Sequence, residues 1–280
     1  MNRSLVSLIV GLLVLLRPAI LQAQEGCNLS AALQDAVNGY LSSSGTRYSG
    51  TLLVEYAGER EFLEVRTSEN GAPVHFRRLN ALPGSPERAI AAGAAEPRDA
   101  CELNAYYSFI AEPGRAVAGR ATYRLTVRPR DTLRLAQVLD IDAESRVALR
   151  GVTVSPEGAV LERYEFATVA FESDPQLPAN ETDNPPARYR FTALPPGFKI
   201  VGQGRNPVDF MVLSDGLATA SVFVELQPRS LPSGEGMVLR GATLTFTHGV
   251  AASLLVTVVG EIPVATARLL AEAVRVSVAS

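Results

Sequence analysis

The stretch Tyr48-Ser-Gly-Thr-Leu-Leu-Val-Glu-Tyr56 decides the fold, because the hydrophobic period changes there from that of a helix to that of a strand. The turn Ala57-Gly58-Glu59 follows it, and residues Glu61 to Thr67 return as a second strand. A third strand is predicted at 74–79. Strands joined by such tight turns pair antiparallel, so the fold around this hairpin is predicted to be antiparallel and mainly β.

An amphipathic helix is predicted just before this hairpin. Asn28 is a suitable N-cap, and apolar residues then recur every three to four positions as far as Leu41. After the hairpin, residues 82–97 are rich in Pro, Gly and Ala and predict a loop. Further strands are predicted at 120–127, 132–141, 147–154 and 159–171. The polar turns between them are typical of a meander sheet.

The second part of the chain is predicted to form a smaller α+β unit. Ser173 to Ala187 carries prolines and acids but no core residue, which is typical of a linker or a long surface loop. Strands are predicted beyond it at 189–192, 198–201, 209–214, 218–226, 237–247 and 253–259. They predict a sheet of four or five strands, and Pro263 opens a covering helix. The predicted division is therefore 1–23, 24–173, 174–187 and 188–280.

Residues 1–23 have the pattern of a secretory signal peptide. Arg3 gives a basic start, Leu5 to Leu16 form an apolar run, and Ala23 is a small residue at the cleavage position. The run is shorter than the roughly 20 residues that cross a bilayer, so we expect an exported protein. A lipid anchor on Cys27 is the alternative, and Gln24-Glu25-Gly26 before it disfavours this.

Export changes the interpretation of the two cysteines. In an oxidising compartment, Cys27 and Cys101 are more typical of a disulfide than of a metal or redox pair. They lie 74 positions apart. Closing such a loop stabilises a fold by ~4 kcal/mol in the chain-entropy model. Two unpaired buried thiols are the alternative.

The composition argues against several classes of function. A net charge of -3 disfavours a nucleic-acid binder, and two His and two Cys leave little material for a zinc site. No nucleophile elbow or phosphate-binding glycine loop occurs. The run Asp140-Ile-Asp142-Ala-Glu144 resembles a calcium loop but lacks its glycine, which favours a hairpin turn. We therefore predict no catalytic residue, no metal and no cofactor.

Arginines concentrate in one stretch of predicted strand. They are Arg120, Arg124, Arg128, Arg130 and Arg134. Such side chains dock acidic or phosphate groups when they converge on a ligand. The commoner arrangement is a solvated sheet face with local salt bridges, and both interpretations stay open.

Several segments match a known pattern in chain order. They are Tyr48-Ser-Gly-Thr-Leu-Leu-Val, Val127-Arg-Pro-Arg-Asp131, Leu161-Glu-Arg-Tyr-Glu-Phe166 and Leu194-Pro-Pro-Gly-Phe198. The most specific is Leu213-Ser-Asp-Gly-Leu-Ala-Thr-Ala-Ser-Val-Phe-Val-Glu225. Together they resemble the RseB/MucB family of periplasmic regulators of the sigma-E (AlgU) envelope-stress response. The chain departs from that family in having no tryptophan.

The resemblance implies a fold for each domain. The N-terminal domain is expected to be like the lipoprotein carriers LolA and LolB, a half-open antiparallel β-barrel around an apolar cavity, plugged by helices. The cavity candidates are Val54, Leu63, Val65, Leu125 and Val127. A small α+β C-terminal domain is expected to carry family residues with a partner-binding or structural role. These are Ser214, Asp215, Gly216, Leu217, Ser221, Phe223 and Glu225.

The resemblance also implies a function in the periplasm. Such a protein binds the periplasmic domain of a membrane-spanning anti-sigma factor of the RseA/MucA type and shields it from site-1 proteolysis. Lipid or lipopolysaccharide signals favour release. Arg124, Arg128 and Arg130 are then candidates to meet acidic peptide segments or lipid phosphates. The sequence leaves the identity of the lipid and the formation of a homodimer open.

Two other functions compete with this one. A periplasmic lipid or lipoprotein carrier uses the same N-terminal fold, but it does not need the second domain that contains Ser214 to Glu225. A secreted hydrolase is a third hypothesis, which the missing nucleophile motif and the scarcity of His disfavour.

Overall fold

A computed structural model describes residues 27–67, 74–79, 88–90, 98–172, 187–205, 207–227, 234–251 and 254–276. The predicted signal peptide lies outside the described residues. So do nearly all of the predicted linker and most of the predicted loop at 82–97. We refer to the described residues up to 172 as the N-terminal unit and to those from 187 onward as the C-terminal unit.

The described residues form three helices and seventeen strands. The helices are α1 (Ala31–Ser42), α2 (Ala100–Leu103) and α3 (Val264–Ala273), with a 3₁₀ turn at Ser43–Gly45. The strands of the N-terminal unit are β1 (Tyr48–Tyr56), β2 (Glu59–Thr67), β3 (Val74–Arg78), β4 (Arg88–Ile90), β5 (Tyr107–Pro113), β6 (Thr122–Pro129), β7 (Ala136–Asp142), β8 (Ala148–Val154) and β9 (Val160–Phe171). Those of the C-terminal unit are β10 (Tyr189–Phe191), β11 (Lys199–Arg205), β12 (Asp209–Ser214), β13 (Thr219–Leu226), β14 (Glu235–Arg240), β15 (Thr243–Ala251), β16 (Leu254–Gly260) and β17 (Val274–Val276).

The N-terminal unit contains one antiparallel sheet of nine strands, ordered β4-β3-β2-β1-β9-β8-β7-β6-β5. Its edge strands β4 and β5 do not pair with each other, so the sheet curves without closing. The predicted half-open antiparallel fold is therefore confirmed. The first hairpin turns at Ala57 and Gly58, which both have positive φ, as the tightest hairpin turns require.

Helices α1 and α2 cover one part of this sheet. Val37 of α1 and Leu103 of α2 are fully buried against Leu125 and Ile141 of the strands. The N-cap predicted at Asn28 is wrong, because the Ser30 hydroxyl accepts the Leu33 N–H and α1 begins at the next residue.

A disulfide joins the chain before α1 to α2. Cys27 and Cys101 are bonded, with their Cα atoms 5.3 Å apart. Asp99 caps α2 by accepting the N–H groups of Cys101 and Glu102, each at 2.8 Å. The bond therefore connects α1 and α2 on the same side of the sheet.

The C-terminal unit has more strands than predicted. Its main sheet has six, ordered β11-β12-β13-β16-β15-β14, and β10 pairs with β17 in a second, two-stranded sheet. The single strand predicted at 237–247 is wrong, because the chain reverses at Gly241, which has a φ of +60°. The predicted covering helix is α3, which buries Ala267, Leu270 and Ala271 against the six strands.

Three elements of the N-terminal unit were not predicted, namely β4, α2 and β5. The loop predicted at 82–97 is wrong where β4 forms at Arg88–Ile90, because these residues pair with β3. The strand predicted to start at 132 starts at Ala136 instead. Residues 131–134 form bends before it, and this irregular segment carries Arg134 into the interior.

We expect the disulfide to contribute strongly to stability. Replacing both cysteines by serine frees a loop of 74 residues in the unfolded state, which costs ~4 kcal/mol in the chain-entropy model. Urea unfolding of the double variant measures this loss, and non-reduced peptide mapping detects the linked peptides in the parent protein. Two free thiols in the parent, or an unchanged unfolding free energy, would contradict the expectation.

Candidate functional site

A buried ion pair connects the two units. Arg134 is 1% exposed and precedes β7, and Asp215 is 0% exposed in the turn between β12 and β13. The Nε of Arg134 lies 2.5 Å from the Oδ2 of Asp215. Arg134 also donates to the Asp131 carboxylate and to the carbonyl of Pro196. A buried charge of this kind is tolerated only when it is paired and hydrogen-bonded, as it is here.

Asp215 is held in place by further donors. Its Oδ2 accepts the Tyr107 hydroxyl at 2.8 Å. Its Oδ1 accepts the N–H groups of Leu217 at 3.0 Å and Ala218 at 2.8 Å. Burial, followed by the charge of Asp215 and its hydrogen bond, raises the pKa of Tyr107. The carboxylate therefore has donors on both oxygens, which is what its desolvation requires.

The turn that presents Asp215 depends on its neighbours. The Ser214 hydroxyl donates to the Ala218 carbonyl at 2.9 Å and accepts the Gly216 N–H at 3.0 Å. Gly216 has a φ of +101°, a conformation that a side chain would strain. Leu217 leaves this turn and packs against the helix-covered core of the N-terminal unit. Four of the seven family residues thus build one interdomain contact.

Aromatic rings enclose the guanidinium of Arg134. Its Cζ lies 4.8 Å from the ring centre of Tyr106, 5.5 Å from that of Tyr107 and 5.4 Å from that of Phe198. Cation–π contacts of this length add to the ion pair when water is excluded. Phe198 ends the Leu-Pro-Pro-Gly-Phe turn, so this turn is part of the same contact.

Two hydrogen bonds flank the pair. Arg98 donates to the Gly197 carbonyl at 2.7 Å, and the Thr266 hydroxyl of α3 donates to the Leu133 carbonyl at 2.6 Å. We call Tyr107, Arg134 and Asp215 with these two bonds the Arg134 clasp. It is the most completely buried polar contact that the described residues make between the units.

A cavity of about 900 Å³ opens between the units. Its size falls in the range of small-molecule sites. The N-terminal sheet supplies the apolar wall, formed by Leu52, Val54, Leu63, Val65, Phe76 and Phe166. The C-terminal unit supplies the facing wall, formed by Leu217, Val238, Arg240, Thr243, Thr245 and Glu261. Ligand binding in this space therefore contacts both units at once.

The turn between β14 and β15 makes a second contact across the cavity. Arg240 donates to the Tyr56 hydroxyl at 2.9 Å and to Glu61 at 2.6 Å. The Ala242 N–H donates to Glu162 at 3.2 Å. Burial opposes ionisation of Glu61, but hydrogen bonds from Tyr56 and Arg240 outweigh it and hold its pKa below the ordinary value. Because the Arg240 side chain is 48% exposed, this contact is weaker than the Arg134 clasp.

Two further carboxyl groups face the cavity. Burial, and then the nearby Glu61 carboxylate, raise the pKa of Glu162, while its bond from Ala242 acts against them. Glu261 lies just before α3 and lines the cavity, where its side chain is exposed to solvent although atoms of both units surround it. Burial, and then Glu162, raise its pKa to about 7. Both carboxyl groups therefore ionise less readily than free glutamate.

The apolar candidates divide between two environments. Val54, Leu63 and Val65 line the cavity. Leu125 and Val127 lie in the core beneath α1 and α2, where Leu125 is fully buried. Alternation along β1 and β2 puts the first three residues on the cavity face of the sheet. Leu125 and Val127 lie on the face of β6 that α1 and α2 cover.

The remaining family residues lie on β13. Ser221, Phe223 and Glu225 are partly exposed and alternate with Ala220, Val222 and Val224, which belong to the core under α3. They therefore share the face of the sheet that α3 does not cover.

The three arginine candidates have different environments. Arg124 pairs with the buried Asp140 at 2.8 Å, as Arg150 does at 3.0 Å. Arg130 donates to the backbone carbonyls of Asn104 at 2.9 Å and Tyr107 at 3.1 Å. The exposed Arg128 guanidinium has no hydrogen-bond or ion-pair partner within the described ranges. Arg128 is thus the member of the three that is available to a ligand.

The segment compared with a calcium loop is a hairpin turn. Asp142 binds Arg120 at 2.7 Å and the Ser145 N–H at 2.7 Å. In the part of the chain that the structure describes, no group of three or more His, Cys, Asp or Glu is placed to hold a metal ion. Nor is any described helix long and apolar enough to cross a membrane.

Sequence reasoning missed the residues that join the units. Arg134 was grouped with exposed arginines, and Tyr107, Glu162 and Glu261 were not singled out. The one available signal was the break in alternation at 131–134, which places a charged residue where no strand is formed.

These features define a two-unit β protein with a ligand-sized cavity between its sheets. The MucB/RseB N-terminal domain family matches residues 90–186, and the MucB/RseB C-terminal domain family matches residues 183–275. The chain belongs to the MucB/RseB family.

Individual relatives are more distant in sequence. The AlgU regulatory protein MucB of Pseudomonas aeruginosa is 28% identical over 200 residues, which cover 63% of this chain and 63% of MucB. The sigma-E factor regulatory protein RseB of Escherichia coli K12 is 28% identical over 197 residues, covering 62% of this chain and 60% of RseB. The matches thus span less than two thirds of these relatives.

The solved MucA/MucB complex of Pseudomonas aeruginosa contains a similar fold. It matches with a TM-score of 0.66 and 25% identity, covering 89% of this chain and 100% of the matched chain. The similarity therefore extends across both units.

We expect the Arg134 clasp to dominate interdomain stability. Asp215→Asn leaves the buried Arg134 with only the partly exposed Asp131 as counter-charge, which lowers the free energy of unfolding by about 3 kcal/mol. Asp35→Asn is the matched control, because Asp35 is 72% exposed in its pair with Arg146 and costs about 1 kcal/mol or less. Urea unfolding measures both. Equal losses would show that the clasp is not the dominant contact.

Glu261 should make stability depend on pH. Its folded pKa lies above its ordinary value of 4.5, so the folded state binds the proton more tightly. Stability therefore falls as the pH rises from about 4.5 through about 7. Glu261→Gln removes this loss, so it should raise Tm more at pH 8 than at pH 5. Thermal unfolding at both pH values measures the change in Tm. Glu272→Gln, on the exposed side of α3, is the control. An equal change in Tm at pH 5 and pH 8 for Glu261→Gln would contradict the raised pKa of Glu261.

Proposed function

We propose that this chain is a periplasmic regulatory protein that binds the periplasmic domain of a membrane-spanning anti-sigma factor. When it is bound, the protein shields that domain from site-1 proteolysis and so keeps a sigma-E-type stress response inactive. The observation that carries the proposal is membership of the MucB/RseB family, by matches in both units. It is supported by the similarity to the MucA/MucB complex.

Release by a lipid or lipopolysaccharide signal is the second part of the proposal. A ligand shifts an equilibrium only by its difference in affinity for the two states. The cavity has walls from both units, so a ligand there changes how the Arg240 turn meets Tyr56 and Glu61. The Arg134 clasp meanwhile keeps the units attached on its own side. The signal thus acts on the relative position of the units.

The mechanism consists of binding and needs no catalytic group. Protection requires the anti-sigma domain to be covered where the protease cuts. Arg128 is proposed to meet an acidic segment of that domain or a lipid phosphate, because its charge is available. Arg124 and Arg130 are proposed to support the surface around it through Asp140 and the Asn104 carbonyl.

A lipid or lipoprotein carrier is the alternative function. The apolar wall of the 900 Å³ cavity favours it. A carrier must release its cargo to a second protein, whereas the regulator must bind the anti-sigma domain. The two proposals are separated by measuring protection and cargo transfer on the same preparation.

The direct test is a cleavage assay. The purified protein should slow site-1 cleavage of the cognate anti-sigma periplasmic domain in proportion to its occupancy. Unchanged cleavage combined with lipid transfer to an acceptor protein would support the carrier instead.

Arg128→Glu should weaken binding of the anti-sigma domain or of a phosphate-bearing lipid by about tenfold, since one charge contact is replaced by repulsion. Isothermal titration measures both ligands. Arg60→Glu is the control, because Arg60 lies at the start of β2, is 72% exposed and pairs with Glu55 across the β1–β2 hairpin. If neither affinity changes, Arg128 belongs to a solvated face.

A further inference from the structure

The disulfide and the contact between the units lie on one short segment of the chain, residues 98–107. Cys101 is near the start of this segment, and Tyr107, which belongs to the Arg134 clasp, is its last residue. Arg98 donates to a carbonyl of the C-terminal unit at 2.7 Å. We call this run of residues the 98–107 segment. Whatever fixes its position also fixes one side of the clasp.

The turn that presents Asp215 packs directly on this segment. A Cβ atom added to Gly216 would lie 3.0 Å from the Cδ of Arg98 and 3.2 Å from a methyl carbon of Leu103. Leu217, the next residue of the turn, packs in the same apolar core as Leu103. A displacement of the 98–107 segment therefore changes the packing of this turn.

The helix inside the segment has little stability of its own. α2 has four residues, and the N–H groups of Leu103 and Asn104 close its turn with hydrogen bonds of 3.1 and 3.0 Å. Forming a first helical turn is unfavourable in isolation, because it fixes several residues for few hydrogen bonds. The position of α2 therefore depends on contacts with its surroundings.

Both non-covalent contacts and the disulfide fix α2 to α1. Asn38 of α1 accepts the Ala100 N–H at 2.8 Å, and Ala100 and Leu103 are fully buried in the core that contains Val37. The disulfide joins Cys101 to the residue four positions before α1. Both cysteines are partly exposed, so a thiol in solution can reach the bond. The covalent contact is therefore one that chemistry can remove and restore.

We propose that the Cys27–Cys101 disulfide is a redox-sensitive element that sets how firmly the 98–107 segment supports the Arg134 clasp. Reduction releases α2 from the chain before α1, and the turn that holds Asp215 then opens more often. Because the clasp fixes how the units lie relative to each other, weakening it lowers the affinity for an anti-sigma domain that contacts both. The inference deepens the proposed function, on which it rests, by naming a second regulation besides the lipid signal.

The chemical step is a thiol–disulfide exchange. A thiolate of a dithiol reductant attacks one sulfur of the bond, forms a mixed disulfide and releases the other cysteine as a thiol. The second thiol of the reductant then displaces the first cysteine. The protein gains two electrons and two protons, and the reductant becomes a disulfide. A chain exported into a compartment with too little oxidising capacity therefore has the weaker clasp.

Hydrogen exchange of the full protein, with and without dithiothreitol, tests the link. The N–H groups of residues 216–218 are hydrogen-bonded within the turn, so they exchange when it opens. Reduction should make them exchange about tenfold or more faster. Strands β1 and β9 contribute to a separate core. Their amides should stay protected over minutes of labelling in both redox states, because global unfolding remains rare.

Variants separate the bond from the reductant. Cys27→Ser/Cys101→Ser should exchange like the reduced parent whether or not dithiothreitol is present, and reoxidation of the parent should restore slow exchange. Arg98→Met keeps the apolar stem but removes the bond to the C-terminal unit, so it should speed exchange of 216–218 in the oxidised protein. Arg60→Met, at an exposed pair of the β1–β2 hairpin, is the matched control and should leave this turn unchanged.

Binding is measured on the same samples. By isothermal titration, the cognate anti-sigma periplasmic domain should bind about tenfold more weakly to the reduced protein and to the double variant than to the oxidised parent.

Three outcomes would overturn the inference. They are equal exchange of 216–218 in the two redox states, loss of protection in β1 and β9 as early as in the turn, and equal affinity for the anti-sigma domain in both states. A protein that binds the anti-sigma domain in neither state would instead contradict the proposed function. The exchange rates would then still decide whether the disulfide supports the clasp.

Discussion

The ion pair between Arg134 and Asp215 is the contact on which the arrangement of the two units depends. Both side chains are removed from water, and each is tolerable only because the other is present with a full set of hydrogen bonds. Tyr107, the turn at Asp215 and the rings around the guanidinium are all consequences of that requirement. The cavity lies beside this fixed point and is bounded elsewhere by the more exposed contact of Arg240 with Glu61. The cavity is thus bounded by one strong and one weaker contact between the two units.

The fold itself was largely predictable from local pattern. The hairpin of β1 and β2 and the strands β8 and β9 follow from alternation and turn residues, which act within a few positions of the chain. The disulfide partners followed from export and from there being two cysteines. The wrong or missing predictions of secondary structure also concern short stretches of the chain. The apolar run at 237–247 contains a chain reversal at Gly241 that interrupts the predicted strand. Helix α2 has only four residues, which are too few to show a helical period.

The candidate site was predictable only in part, because its key contacts are made between distant residues. Arg134 and Asp215 are 81 positions apart, and only the break in alternation at 131–134 distinguishes Arg134 from the exposed arginines of the same stretch. Asp215 was identified through the family resemblance, without its partner. Alternation predicts that Val54 and Val65 share one face of the sheet. It does not predict that Glu162 lines the same cavity, because that depends on how the strands pair.

The account joins the cavity to the surface that binds the anti-sigma domain, and this coupling is its central claim. The most direct measurement is the dissociation constant of the anti-sigma periplasmic domain, by isothermal titration, with and without saturating lipopolysaccharide. Linkage predicts that the ligand weakens this binding, by about tenfold for a coupling of about 1.4 kcal/mol. An unchanged dissociation constant, with the lipopolysaccharide shown to be bound, would contradict the account.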